Sequence, residues 1–401
     1  MNRLIYWLWL ITCPWLLTAQ NTDSTFKKKA LTSLDVKAFL SYYQQEGTHS
    51  AVTGGRGDEH LNVYHTGAAI EYGINSSLII FNASIDIITS PSTDKIDFVK
   101  SSASEHDNHV QGQLGYQYQF KSKKMALGAA YSFGIESDYF STGIHTWFNW
   151  NNSQKTRSFG ISTDFFFDDL RWGRLSRSTN NQPSTLIYPS ELRGTDWLQL
   201  FHRNSYNLGL NFRQDVNRRL SMNFSLGATY QEGVLSTPFH RVYFSDTAVV
   251  RVELLPRHRI RLPLGVAANW FAHNQVVVKS YYRFYWDNFG ILAQTLQVQT
   301  VVKPTNKISL YPFVRAYYQT ASPYFKPYRQ HEFSAPYRTS DYDYSEFATL
   351  KAGIGIGWYP DARMGKRSKY YFNNIVLRYS FLYRTDGLYA HVIGLQFGIK
   401  K

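Results

Sequence analysis

The sequence predicts an all-β chain, a transmembrane antiparallel up-and-down β-barrel of about sixteen strands, bounded by about fourteen and eighteen. Three observations lead there. Polar and apolar residues alternate with a period of two in run after run. Short polar turns and longer loops follow one another between those runs. The first residues have the make-up of a secretory signal.

The run HVQGQLGYQYQF at 109–120 states the problem in small. His109, Gln111, Gln113, Gly115, Gln117 and Gln119 fall on one face of a strand; Val110, Leu114, Tyr116, Tyr118 and Phe120 fall on the other, with Gly112. In a soluble sheet the apolar face packs on a core, whereas in a membrane barrel it meets lipid and the polar face lines a lumen. The same alternation places strands near 35–47, 61–74, 78–89, 109–120, 125–138, 140–151, 156–168, 204–215, 220–234, 259–272, 276–289, 291–303, 308–321, 347–360, 373–385 and 388–399.

Turns such as Asn75-Ser76-Ser77, 121–124, 152–155, 217–219, 273–275 and 304–307 follow every second strand, with a longer one at 361–372. On the other side stand long loops at 48–60, 90–108, 169–203, 235–258 and 322–346, and tight turns near 139, 290 and 386. Short turns at one end and long loops at the other, with an even strand number, put the short end and both termini in the periplasm.

Lipid is the better match for the apolar faces. They carry essentially no charge, and a charged side chain at the midplane of a barrel costs roughly 2–4 kcal/mol. The polar faces are rich in Gly, Ser, Asn and Gln rather than Lys and Glu. Aromatics recur at the ends of the apolar faces: Tyr118, Phe120, Trp270, Tyr282, Trp286, Tyr318 and Trp358. A sheet in lipid must close on itself, because open ladder groups would find no water.

The rest of the composition agrees. Charged residues are 18 % of the 401 and aromatics 17 %. The mean hydropathy of −0.36 and the absence of a further long uncharged apolar run argue against helical spans. Residues 1–19 read as a signal peptide, with Arg3 before the apolar Leu4 to Leu17 and cleavage near Ala19. Residues 20–34 read as a short periplasmic lead and 35–401 as the barrel. Cys13, the single cysteine, lies in that leader; its LITC setting resembles a lipoprotein site only faintly. Without it the mature chain has no disulfide, zinc-thiolate site or cysteine nucleophile. The net charge of +14 is spread over turns and lumen positions with no compact block, which argues against nucleic acid. Outer-membrane lipid, lipopolysaccharide and small anionic solutes are the partners expected.

Several stretches resemble an uncharacterised Gram-negative outer-membrane family, domain of unknown function 3570. They are HSAVTGGRGDEHL at 49–61, ASIDIITSPSTDKID at 83–97 with SSAS at 101–104, LPLGVAANWF at 262–271, SYYRFYWDNFGI at 280–291, YPFVRAYYQTASPYF at 311–325 and TSDYDYSEF at 339–347. The resemblance implies a transmembrane barrel and assigns no residue a role.

Candidate lumen residues come from phase alone. In VVVKSYYRFYWDNF, Lys279, Arg283 and Asp287 face inward about 13 Å apart. Arg259, Arg261, Arg315, Lys351, Arg378 and Arg384 fall inward on other late strands, and Glu71, Asp86, Glu136, Asp138, Asp164 and Asp168 on early ones. Such a split gives either a charged pore lining with a transverse field or a salt-bridged plug. Arg56-Gly57-Asp58 matches a cell-adhesion tripeptide and reads as a loop turn. Residues 339–346 cluster oxygen ligands without EF-hand spacing, and read as a solvated acidic loop rather than a calcium site. His65, His109, His145 and His391 lie in strands without a Ser/acid motif. No cofactor or metal is expected. The leading reading is a channel or transport barrel for small polar or anionic solutes. A structural or assembly barrel binding a partner through its loops comes second, and a lipid-modifying enzyme third.

Overall fold

Sixteen strands close into one antiparallel sheet in the computed structural model, which describes residues 31–89, 106–120, 124–136, 140–170, 202–237 and 239–401. The leader, the stretches 90–105 and 171–201, and Asp138 lie outside the described residues. The strands are β1 (Thr32–Gly47), β2 (Glu59–Ile74), β3 (Ser77–Thr89), β4 (His106–Gln119), β5 (Met125–Ile135), β6 (Phe140–Asn151), β7 (Arg157–Asp169) and β8 (His202–Asn217). They continue as β9 (Leu220–Gly233), β10 (His258–His273), β11 (Val276–Asp287), β12 (Leu292–Val302), β13 (Ile308–Leu310 with Phe313–Gln319), β14 (Phe347–Trp358), β15 (Tyr371–Arg384) and β16 (Tyr389–Lys400). Each pairs with its sequence neighbours, and β1 pairs with β16 from Asp35↔Lys400 to Glu46↔Tyr389, so the sheet has no free edge.

The alternation decides which side chains face out. Leu114 is 61 % exposed, while Gly115 beside it is buried. Leu127, Leu296, Val314, Leu350, Ile356 and Leu377 are likewise exposed on the outward phase of their strands. The aromatics read as end girdles are all exposed on that phase. Among the described strand residues, charge on the outward phase sits at strand ends: Glu46, Arg157, Asp169 and Glu232.

Local chemistry shapes the connections. Asn75 takes a left-handed φ of 53° in the two-residue turn after β2, a conformation Asn tolerates well. β13 breaks at Tyr311-Pro312, because proline has no N–H for the ladder; Tyr311 and Gly355 exchange backbone bonds at 2.8 and 3.1 Å and hold the register. Inward-facing Gly128 leaves room for the Trp147 ring, which lies 2.1 Å from where a Cβ at 128 would stand. Trp147 Nε1 donates to Gln117 Oε1 at 2.7 Å, so a bulky indole lies flat against the inner wall.

The long-loop end differs from the open loops expected there. Residues 48–58, 234–257 and 320–346 fold together. Arg241–Tyr243 and Val250–Val252 form a small hairpin within the second of these loops. Phe244 pairs with His331 and Leu254 with Arg338, which joins the hairpin loop to the 320–346 loop. Val242, Phe244, Val252, Leu255 and Phe289 bury an apolar centre there. Gly55, at φ 81°, lets the first loop approach so closely that a Cβ would stand 2.5 Å from Ser340 O. Thr339 and Ser340, read as part of a solvated acidic loop, are fully buried in this assembly. Arg56 lies 5.4 Å over the Tyr328 ring, so the RGD stretch belongs to the same packed assembly.

Candidate functional site

The inward face divides into two walls. On β2 to β8 it is polar and largely self-satisfied. Asp86 on β3 accepts from His65 Nδ1 at 2.5 Å and lies 3.4 Å from His109 Nδ1. Asn82 Nδ2 donates to Gln113 Oε1 at 2.8 Å, and Gln111 Nε2 to Ser84 Oγ at 2.7 Å. Ser132 Oγ lies 2.8 Å from His145 Nε2, and His145 Nδ1 lies 2.8 Å from Asp164 Oδ1. Asp168 holds Arg203 at 2.7 Å. All of these except Asp86 and Asp164 line a cavity of about 610 Å³.

On β10 to β15 the wall is cationic. Lys279 and Arg283 on β11, Arg315 on β13, Lys351 on β14 and Arg378 on β15 occupy inward positions. Among the described residues none of them has a carboxylate within 4.0 Å. Arg315 Nε donates to Gln297 at 2.8 Å instead, and Arg378 lies 5.1 Å over the Tyr311 ring. The Tyr311 hydroxyl is paired with that of Tyr359. Arg261 lies inward opposite Asp287 in register, and among the described residues its Nε has no hydrogen-bond partner.

Other residues expected in the lining are spoken for. Asp287 is fully buried and ties down Arg259 with Nε and Nη2 contacts of 3.0 and 2.5 Å. It also accepts from Tyr285 Oη and from the backbone N–H groups of Phe289 and Ile291, so it organises the tight turn to β12. Arg384 pairs with Asp386 at 2.7 Å and with Asp343 at 2.6 Å. Glu71 is exposed on β2, and Glu136 lies just past β5, which ends at Ile135.

The loop assembly reaches the cationic wall. Asp343 comes from the 320–346 loop to Arg384 on β15, and Gln319 Nε2 donates to Asp343 O and Ser345 O at 2.9 and 2.7 Å. A second cavity, of about 500 Å³, lies between His49, His240 and Asp341 of the loops and Tyr43, Tyr317 and Thr349 of the strands.

At its edge His240 Nδ1 stands 3.5 Å from Glu253 Oε2 and 3.5 Å from Asp341 Oδ2. Glu253 is buried and accepts from Thr339 Oγ1 at 2.5 Å and Thr237 N at 2.8 Å. Burial alone would lower the His240 pKa; the Glu253, Asp341 and Asp343 carboxylates outweigh it and push it up to about 9. Burial raises Asp341 to about 7, against the pull of His240. The three ligand-type atoms lie within 4.8 Å of one another, a set whose charge a proton on His240 reduces and a divalent cation would cancel.

Spatial groupings were the part that phase alone missed. Ser132–His145–Asp164 spans three strands, and His240–Glu253–Asp341 spans two loops. Strand register could have found the first, since Ser132 stands opposite Gly143 and His145 opposite Asp164.

A family model described as "Protein of unknown function (DUF3570)" matches residues 64–378. No curated protein sequence matches the chain. Among solved structures it is similar to the outer membrane protein opdK from Pseudomonas aeruginosa, at 8% identity and a TM-score of 0.40 over 92% of this chain and 99% of that one. It is also similar to a BenF-like porin from Pseudomonas fluorescens Pf-5, at 6% identity and a TM-score of 0.42 over 92% and 99%. A third is Pseudomonas aeruginosa OccK2 (OpdF) in complex with glucuronate, at 7% identity and a TM-score of 0.40 over 92% and 96%.

Proposed function

The chain belongs to the DUF3570 family, and on that premise we propose that it is an outer-membrane channel for small polar or anionic solutes. The observation that carries this reading is the cationic inner wall. Lys279, Arg283, Arg315, Lys351 and Arg378 present charge to the interior with no carboxylate within 4.0 Å among the described residues, so a passing anion meets donors that no described carboxylate neutralises. The opposite wall offers neutral donors and acceptors from Gln111, Ser84 and Gln113. Together they draw a solute's anionic group to one side and its hydroxyls to the other. Asp343 pins the 320–346 loop to Arg384 on the cationic side.

The membrane placement rests on the outward belt. Exposed Leu, Ile and Val with aromatic ends fit the hydrocarbon and the headgroups of outer-membrane lipid, including lipopolysaccharide. The short turns and both termini face the periplasm, and the packed loops face outward.

Planar-bilayer recording tests the reading. Purified, folded barrel should conduct, with a reversal potential in a salt gradient that reports anion preference. Lys279→Glu together with Arg283→Glu should lower that preference several-fold or invert it. A folded barrel that passes no current, even with the 320–346 loop shortened, would end the channel reading.

A further inference from the structure

We propose that Ser132, His145 and Asp164 form a serine-hydrolase triad that cleaves small carboxylic esters inside the lumen. The three residues stand on consecutive strands, β5, β6 and β7, all on the inward phase. Ser132 is opposite Gly143, and His145 lies two residues beyond Gly143 on the same face. The imidazole leans back across Gly143 to put Nε2 at 2.8 Å from Ser132 Oγ, and keeps Nδ1 at 2.8 Å from Asp164 Oδ1.

Gly143 is what allows this. A Cβ there would stand 2.4 Å from Ser132 Oγ and 3.0 Å from His145 Nε2, so any larger residue would drive the two apart. Phe166, opposite Gly143 on β7, meets the imidazole edge-on with centroids 5.3 Å apart and steadies its plane. Asp164 accepts a hydrogen bond from Nδ1–H, which leaves the Nε2 lone pair facing the serine hydroxyl, the tautomer that nucleophilic catalysis needs.

The site is open to a reactant. Ser132 and His145 border the 610 Å³ cavity, with Phe39 and Phe166 supplying apolar surface for an acyl chain. Gln113, opposite Ser132 on β4, also borders it. Its Oε1 accepts from Asn82 Nδ2 at 2.8 Å, so its amide N–H₂ is the donor on this wall assigned to the oxygen that becomes negative in the transition state. The wall thus holds a nucleophile, a base, a positioning carboxylate and an apolar recess.

The reaction needs only the ester and water. The Ser132 hydroxyl proton passes to His145 Nε2 as Oγ bonds to the carbonyl carbon, and the C=O electron pair moves onto oxygen. When that pair returns, the C–O bond to the alcohol breaks, and the alcohol leaves with the proton from Nε2. Water then gives a proton to Nε2 and attacks the acyl-serine. The acid departs as Ser132 regains its proton, and the sum is ester plus water to acid plus alcohol. Ser132 and His145 touch the reacting atoms; Asp164 is a positioning residue. None of this depends on whether the barrel passes ions, so failure of either proposal is visible separately.

The test uses detergent-folded full-length protein, a fluorophosphonate probe and p-nitrophenyl acetate. The unaltered protein should take up the probe at Ser132, located by peptide mass spectrometry. It should hydrolyse the ester on the order of a thousandfold faster than Ser132→Ala or His145→Gln. Asp164→Asn should retain labelling but slow it and shift its pH profile, a change that loss of packing alone would not cause. Folding of each variant is read from heat-modifiable migration. No labelling at Ser132 in folded unaltered protein, or ester hydrolysis undiminished in Ser132→Ala, overturns the proposal and leaves a hydrogen-bond chain that only braces the wall. The labelling arm stands even if a variant fails to fold.

Discussion

Asp287 clamps Arg259 beneath the loop assembly: its carboxylate, with no solvent exposure, receives the guanidinium, while the same guanidinium lies 4.7 Å over the Phe289 ring. The pair joins β10 to the turn that starts β12. Removing one partner strands a buried charge, which typically costs about 3–5 kcal/mol. Asp287→Ala should therefore lower the urea midpoint of the folded barrel by that equivalent. An unchanged midpoint would mean that water reaches Arg259 freely.

The outward phase makes a second expectation. Leu296 is 53 % exposed midway along β12. If hydrocarbon surrounds it, Leu296→Arg should destabilise the barrel in lipid vesicles by roughly 2–4 kcal/mol, and Gln297→Arg, which points inward, by much less. Equal effects at the two positions would place water on both faces.

Gly128 and Trp147 give a packing test. With the indole 2.1 Å from a Cβ at 128, Gly128→Val cannot be accommodated by a small rotation, and overpacking of this kind costs about 1–3 kcal/mol. The change should release the Trp147 contact to Gln117 and alter tryptophan emission. Gly134→Ala, where the nearest atom to an added Cβ is 3.4 Å away, should leave emission and stability near their starting values.

The loop assembly should loosen in alkali. The His240 pKa is raised from 6.5 to about 9, so its contribution is fully present below 6.5 and is lost as pH climbs through about 9. Asp341 is raised from 3.8 to about 7, and its contribution too fades as pH rises, through about 7. In chelator-treated protein, hydrogen-exchange protection at Val242 and Leu255, corrected for intrinsic rates, should fall by roughly tenfold or more between pH 6 and 10. His240→Gln should flatten that profile. Protection that grows with pH would reverse the sign and refute the assignment.

The strands were the legible part of this chain. Alternation needs only neighbours two apart, so each of the sixteen strands has its run in the sequence, and HVQGQLGYQYQF shows its Gln face inward as β4. Errors gathered where local pattern stops deciding. β1 begins at Thr32, before the expected lead has ended, and β5 stops at Ile135. The sequence places Thr339 in a solvated loop, but its burial depends on Glu253, 86 positions away, which no periodicity reports. Charge signs are visible in the sequence, but their pairing is not: Arg259 and Arg384 are each held by carboxylates that reach them across a turn or from a loop. The cationic residues left over, rather than the whole set, define the wall.

Closure between β1 and β16 carries one more implication. Lys401 Nζ donates to Thr32 Oγ1 across 369 positions of chain. Until the last strand has been synthesised and delivered, the first must wait with one side unmated, and a bare β-edge is a standing invitation to join a second copy. Any escort that carries the unfinished polypeptide has two distant segments to shield at once, Thr32–Gly47 and Tyr389–Lys400, and must surrender them together.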